Sequence, residues 1–231
     1  MIEMKKKINF DDKIFIAGSN GMVGKAICKS LTNYGYGLKE NNGILLKPRR
    51  KELDLLNYNA VDDWFRINKP DIVILAAAKV GGIYANDNFP TDFILENLKI
   101  QNNVIELAWR HGVKRFLFLG SSCIYPKFAK QPINEDSLLT GALEPTNQWY
   151  ATAKISGLKL CEALKKQYQF NAIALMPTNL YGPGDNYHPD DSHVMASLIR
   201  KFCIASKESK PFVYCWGTGK PFREFLHVND L

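Results

Sequence analysis

Tyr150 and Lys154 stand four residues apart, a spacing that puts both on one face of a helix. An ammonium beside a phenol stabilises the tyrosinate and lowers the phenol from its ordinary pKa of about 10. Such a pair donates or accepts a proton at a carbinol carbon near neutral pH. Of ten tyrosines only Tyr150 has lysine at this spacing. About one such pair is expected by chance, so its weight comes from what precedes it. Ser121-Ser122-Cys123 follows the apolar run Phe116-Leu117-Phe118-Leu119. If the backbone stays extended there, Ser121 and Cys123 point the same way. Ser121 would then hold a carbonyl oxygen beside Tyr150, and Cys123 would be a base next to the same substrate. His193 opens an apparent helix after an irregular segment; read alone, a histidine there is more often a cap or a surface residue.

Gly18-Ser19-Asn20-Gly21-Met22-Val23-Gly24 follows the first apolar run and opens a helix. The glycines allow a tight turn, close backbone approach to a pyrophosphate and tight helix–strand packing. The helix start adds free N–H groups and partial positive charge. This G-x-x-G-x-x-G spacing is the pattern of the short-chain dehydrogenase/reductase superfamily. Past the second run, Leu45-Leu46, come Lys47-Pro48-Arg49-Arg50-Lys51, with no carboxylate before Glu52. An acidic residue here would accept from a ribose 2′-hydroxyl, whereas basic residues attract a 2′-phosphate. NADP(H) is the expected cofactor; the bland alternative is a basic loop on a basic protein.

These residues must be carried by short strands and helices. The nearly continuous apolar runs 13–17, 43–46, 71–76, 115–119 and 172–176 suit parallel strands covered on both faces. Between them, Ile94, Leu98, Val104, Ile105 and Ala108 form one stripe at helical spacing, and Ile155, Leu158, Cys161, Glu162 and Leu164 sit on another helix whose inner face is mostly apolar. Strand–helix alternation predicts an α/β doubly wound parallel sheet, a Rossmann fold with right-handed crossovers. Beyond Met176 a Pro- and Gly-rich stretch marks the start of a second lobe. The expected division is residues 1–180, a nucleotide-binding domain, and 181–231, the start of a substrate lobe.

Composition sets outer limits. The chain has 231 residues, 46% hydrophobic and 23% charged, enough to bury a core without disulfides or metal. No apolar run nears the ~20 residues that span a bilayer. The basic amino end lacks a signal-peptide apolar region. Five scattered cysteines without a CxxC pair imply neither a metal site nor a disulfide frame and fit reduced thiols in the cytoplasm. Cys28, Cys161 and Cys203, at helical positions, read as inert buried thiols. The net charge of +7 favours anionic partners, but the positive runs are short, so no nucleic-acid role is expected.

With these residues in hand, the chain resembles the GDP-L-fucose synthase family of extended short-chain reductases. Carrying the likeness are Ala76-Ala77-Ala78-Lys79-Val80-Gly81-Gly82-Ile83, Gly120-Ser121-Ser122-Cys123-Ile124-Tyr125-Pro126-Lys127, Glu144-Pro145-Thr146-Asn147, Pro177-Thr178-Asn179-Leu180-Tyr181-Gly182-Pro183 and Arg223-Glu224-Phe225-Leu226-His227-Val228. The resemblance implies epimerisation at C3 and C5 and NADPH-dependent reduction at C4 of GDP-4-keto-6-deoxy-D-mannose. It implies Tyr150 as proton donor at the C4 oxygen, assisted by Lys154 and Ser121, with Cys123 and His193 as base and acid for the inversions. Gly18, Ser19, Asn20, Gly21, Met22, Val23, Gly24, Arg50, Leu119, Gly120, Ser121, Ser122, Lys154, Pro177, Thr178, Asn179, Leu180 and His193 would meet the cofactor. Lys201, Trp216 and Arg223 would hold the GDP-sugar; Lys201 stands where the family commonly has arginine, keeping the charge but losing the planar fork. The likeness further implies a homodimer through the helices around 98–108 and 150–168, and a substrate lobe incomplete at its carboxyl end. Two rivals stay open: another nucleotide-sugar epimerase or dehydratase, against which Ser122-Cys123-Ile124 argues, and a non-catalytic NADPH-binding protein.

Overall fold

The structure, a computed structural model, describes residues 8–231; the basic run 5–7 lies outside them. Five parallel strands, β1 (Lys13–Ala17), β2 (Ile44–Leu46), β3 (Ile72–Leu75), β4 (Arg115–Leu119) and β5 (Ala172–Leu175), form one sheet in the order β2-β1-β3-β4-β5. All five expected strands are present, and the helices α1 (Met22–Asn33), α2 (Tyr58–Asn68), α4 (Pro90–Arg110) and α5 (Gln148–Tyr168) connect them; α3 (Ile83–Asn88) is a short turn of helix before α4.

The two-residue period of the strands divides the core. Phe15, Ala17, Val73, Leu75, Phe116 and Phe118 face α2, α4 and α5, meeting Val61, Phe65, Val104, Ile105, Ala108, Cys161 and Leu164. Ile14, Ile16, Ile72 and Ile74 face the other way, against Ile27, Cys28 and Leu31 of α1. Cover on both faces is therefore real for β1 and β3 but incomplete at the far edge. Ile173 and Leu175 of β5, in register with Leu117 and Leu119, are 37% and 44% exposed.

α4 departs from its expected apolar stripe. Its buried face carries Asn97 and Gln101 beside Phe93, Val104 and Ile105. Both amides are satisfied by backbone, as buried polar groups must be. Asn97 Oδ1 accepts from Lys79 N at 2.9 Å and its Nδ2 donates to Lys79 O at 3.0 Å, pinning the loop that leaves β3. Gln101 Nε2 donates to Ala153 O at 2.5 Å, fixing α5 against α4.

β1 is flanked by β2 on one side and β3 on the other. The strand order reverses there, and the crevice outside the carboxyl ends of β1 and β3 is where open α/β sheets bind ligands. A separate parallel pair, β6 (Asn179–Tyr181) with β7 (Phe225–His227), and helix α6 (Val194–Lys207) follow. Among the described residues no helix is long and apolar enough to cross a membrane.

Candidate active site and dinucleotide cleft

The glycine turn lies at the reversal point. Gly18 has φ +89°, and a Cβ there would lie 2.7 Å from Ala77 N, so β1 and β3 exit backbone to backbone. Gly24 is pressed harder: its Cβ would meet Gly18 O at 2.1 Å. The turn is closed by Gly21 N donating to Gly18 O at 3.1 Å. α1 then starts at Met22, with Gly21 as an N-cap that offers no side-chain bond, leaving its first N–H groups for a ligand.

A cleft of about 380 Å³ opens beside this turn, lined by Ser19, Asn20, Lys25, Cys28, Lys47, Arg49 and Glu52. Ser19 is 6% exposed and its Oγ has no hydrogen-bond partner, which a buried hydroxyl ordinarily has. Three cations, an orphan hydroxyl and an uncapped helix start fit a phosphorylated dinucleotide. Arg50, expected at the 2′-phosphate, is exposed and not among the cleft-lining residues. The chain turns at 49–53, with Glu52 N and Leu53 N both donating to Arg49 O, and it is Arg49 that faces the cleft. Lys25, one turn into α1, was invisible as a site residue because only the fold brings it beside Lys47.

Ser121, Cys123, Tyr150 and Lys154 come together where β4 ends. Lys154 is 4% exposed, donates to Leu119 O at 2.8 Å and stands 4.9 Å from the Phe118 ring centroid and 5.6 Å from that of Tyr150. Burial pulls its ammonium down to about 8, with the Cys123 thiolate opposing. Burial pushes the Tyr150 phenol well above its ordinary value; charge on Cys123 adds to this and the Ser121 hydrogen bond opposes it. Burial outweighs the lowering expected from Lys154, and the lysine, itself pulled down to about 8, is neutral before the phenol ionises. Burial also raises the Cys123 thiol, against the Ser121 bond and the Lys154 charge.

The backbone does not stay extended from Ser121 to Cys123. Residues Ser122–Ile124 form a 3-10 turn, which the Ser121 side chain caps by accepting from Cys123 N at 3.5 Å. Serine competes for local backbone donors in this way. The exits of β4 and β5 run together: Gly120 N donates to Leu175 O at 2.8 Å and Ser122 N to Pro177 O at 3.4 Å. This brings Leu119, Gly120, Ser122 and Pro177, with Thr178 following, to one edge. Asn179 and Leu180 pass into β6, where Asn179 Nδ2 donates to Glu224 O at 2.9 Å.

His193 is exposed and is the N-cap residue of α6, with no side-chain capping bond. The two residues before it dock on the loop that leaves β3: Gly82 N donates to Asp191 O at 3.3 Å, and a Cβ on Gly81 would lie 2.3 Å from Asp191 Oδ1. Lys201 stands 4.6 Å from the Trp216 ring centroid and donates to Tyr214 O at 3.3 Å, a cation–π pair. Arg223 Nη1 donates to Phe222 O at 2.9 Å. Among the described residues, neither His193 nor Arg223 hydrogen-bonds to the Ser121, Cys123, Tyr150, Lys154 group. All five cysteines are free thiols. Cys161 is buried as expected, but Cys28 is half-buried at the cleft and Cys203 is exposed; helical position alone does not say which face a residue occupies.

Comparison with known proteins agrees with this architecture. The model of the NAD dependent epimerase/dehydratase family matches residues 14–231. GDP-L-fucose synthase 1 of Arabidopsis thaliana is 56% identical over 95% of the chain, and GDP-L-fucose synthase of Escherichia coli 52% identical over 95%; each match covers 66% of the relative. The chain thus spans just under two thirds of the length of these curated relatives. Among solved structures, a GDP-L-fucose synthetase from Naegleria fowleri bound to NADP superposes with TM-score 0.84 at 30% identity, covering 98% of this chain and 72% of that one. MlghC, a GDP-mannoheptose C4 reductase from Campylobacter jejuni with NADP bound, gives 0.86 at 39%, covering 96% and 71%. With its glycine turn at the strand-order reversal and its tyrosine–lysine helix against β4, the chain belongs to the NAD dependent epimerase/dehydratase family, among the members related to GDP-L-fucose synthases.

Proposed function

We propose that this chain takes GDP-4-keto-6-deoxy-D-mannose, inverts C3 and C5, and reduces C4 with NADPH to give GDP-L-fucose. The observation that carries this reading is the buried group at the end of β4, where a thiol, a hydroxyl, a phenol and an ammonium share one site. A C4 ketone acidifies the C–H bonds on both sides. Cys123 takes a ring proton, His193 returns one on the opposite face, and Ser121 with Tyr150 donates hydrogen bonds to the enolate oxygen. Burial holds the Cys123 thiol above its ordinary range, while the Ser121 hydrogen bond and the Lys154 charge favour the thiolate that takes the proton. Bound NADPH supplies the hydride for C4. Tyr150 gives its proton to the C4 oxygen, and Ser121 and Lys154 stabilise the phenolate left behind.

In this reading residues 1–180 hold NADPH through 18–24, the cleft cations, 119–122 and 177–180. Residues 181–231 begin the substrate lobe, with Lys201, Trp216 and Arg223 on the GDP-sugar. The protein works in the cytoplasm as a homodimer paired through α4 and α5. The test is NADPH oxidation on adding GDP-4-keto-6-deoxy-D-mannose. Oxidation with GDP-L-fucose as product is expected, and a UDP-hexose should give none. Tight NADPH binding with no oxidation would favour the non-catalytic rival.

A further inference from the structure

The carboxylate in the dinucleotide cleft is the feature that the reading above leaves unexplained. Glu52 lines the same cleft as Lys25, Lys47 and Arg49, where a second anion would repel a 2′-phosphate. Its geometry answers the objection. Glu52 Oε1 accepts from Arg49 Nε at 3.0 Å and from Nη2 at 2.7 Å, while Oε2 accepts from Arg49 backbone N at 2.9 Å. One carboxylate therefore holds both the guanidinium and the main chain of a single residue. Arginine loses much rotamer freedom when it is fixed, and this clamp does the fixing before any ligand arrives. Nη1 takes no part in these bonds, so the clamp leaves that end of the fork free for an acceptor. The mutual bonds hold Arg49 above the usual guanidinium range and Glu52 below the usual carboxylate range. Ser19, whose buried Oγ has no hydrogen-bond partner, lines the same cleft.

We infer that Glu52 is a positioning residue which, through Arg49, sets the preference of the cleft for a 2′-phosphate over a 2′-hydroxyl. The inference rests on the NADPH reading of the cleft. Glu52 touches Arg49 and not the ligand: preorganisation of the fork raises affinity for the phosphate by removing an ordering cost. Affinity for NADH, which brings no phosphate to the fork, is indifferent to it.

The experiment is equilibrium binding of NADPH and of NADH to the whole chain by ligand fluorescence, for wild type, Glu52→Gln, Arg49→Gln and the double variant. Wild type should favour NADPH. Glu52→Gln, which keeps the shape but loses the charge, should weaken NADPH about fivefold, the scale an exposed charge pair supplies. NADH binding should not change. Arg49→Gln should weaken NADPH at least as much, and the double variant should add little to it, because the two residues act as one unit. A Glu52→Gln ratio equal to wild type overturns the inference. A raised NADPH preference overturns it too, since Glu52 would then be a repelling charge. Equal affinity of wild type for both nucleotides overturns instead the 2′-phosphate reading on which it rests. A general loss of fold would weaken both nucleotides alike, so the ratio separates positioning from damage.

Discussion

Tyr150→Phe should lower the rate of C4 reduction about 10²–10⁴-fold, the usual contribution of a positioned acid or base, while NADPH still binds. The phenolic hydroxyl is the only group removed. The ring keeps its edge contact with Phe93, at 6.5 Å between centroids, so the helix and the β4 exit retain their packing. Burial keeps the phenol protonated, which suits a donor that must carry its proton to the C4 oxygen. In the proposed reaction the phenolate that results is stabilised by Ser121 and, while the lysine is protonated, by the charge of Lys154. That charge has its own pH limit. Lys154 is pulled down to about 8, so below that pH it is ammonium and above it a neutral amine. Reduction should fall as pH rises through this value, whereas a fully exposed lysine would hold its charge to about 10.4. Single-turnover rates with saturating NADPH, measured across pH, check both statements. A phenylalanine variant within tenfold of wild type would remove Tyr150 from the chemistry.

Gly24→Ala should cost roughly 3 kcal/mol or more of stability, the range of severe backbone and packing clashes, and abolish nucleotide binding with it. The added Cβ would lie 2.1 Å from Gly18 O and 2.7 Å from Ser19 Cα, both main-chain atoms. Gly18 has little room to retreat on its other side, where even a Cβ would lie 2.7 Å from Ala77 N. Gly21→Ala is the informative companion. Its Cβ would sit 3.5 Å from Gly18 O, an ordinary contact, so thermal unfolding should be close to wild type. If this glycine is kept small for a pyrophosphate, NADPH affinity should drop even so. Thermal melts with NADPH titration separate the two effects. A normal melt for Gly24→Ala would contradict the packing described.

What the sequence made legible, and what it hid, has a physical pattern. β1, β3 and β4 were readable because strands buried by helices must be apolar nearly throughout. The tyrosine–lysine pair was readable because helical spacing places it without knowledge of any partner. Asn97 and Gln101 were hidden: the expected stripe on α4 was apolar, and their partners are main-chain atoms of Lys79 and Ala153, the latter 52 residues away. The β6–β7 pair was hidden for a related reason, since three-residue strands so far apart in the chain leave no periodic signal. At Ser121 and Cys123 the strand alternation gives way to a 3-10 turn that the serine caps, yet the two side chains still meet through a hydrogen bond. The turn at 49–53 turns Arg49 toward the cleft and leaves Arg50 off its lining.

The central claim is that one site performs both proton exchange beside a ketone and reduction of that ketone. The most direct measurement is the deuterium content of the product formed in D2O from GDP-4-keto-6-deoxy-D-mannose and NADPH, read at each ring carbon by NMR. Solvent deuterium is expected at C3 and C5 and none at C4, with loss of the C3 and C5 label when Cys123→Ser is used. A reduced product with protium at C3 and C5, or undiminished labelling by Cys123→Ser, would contradict it.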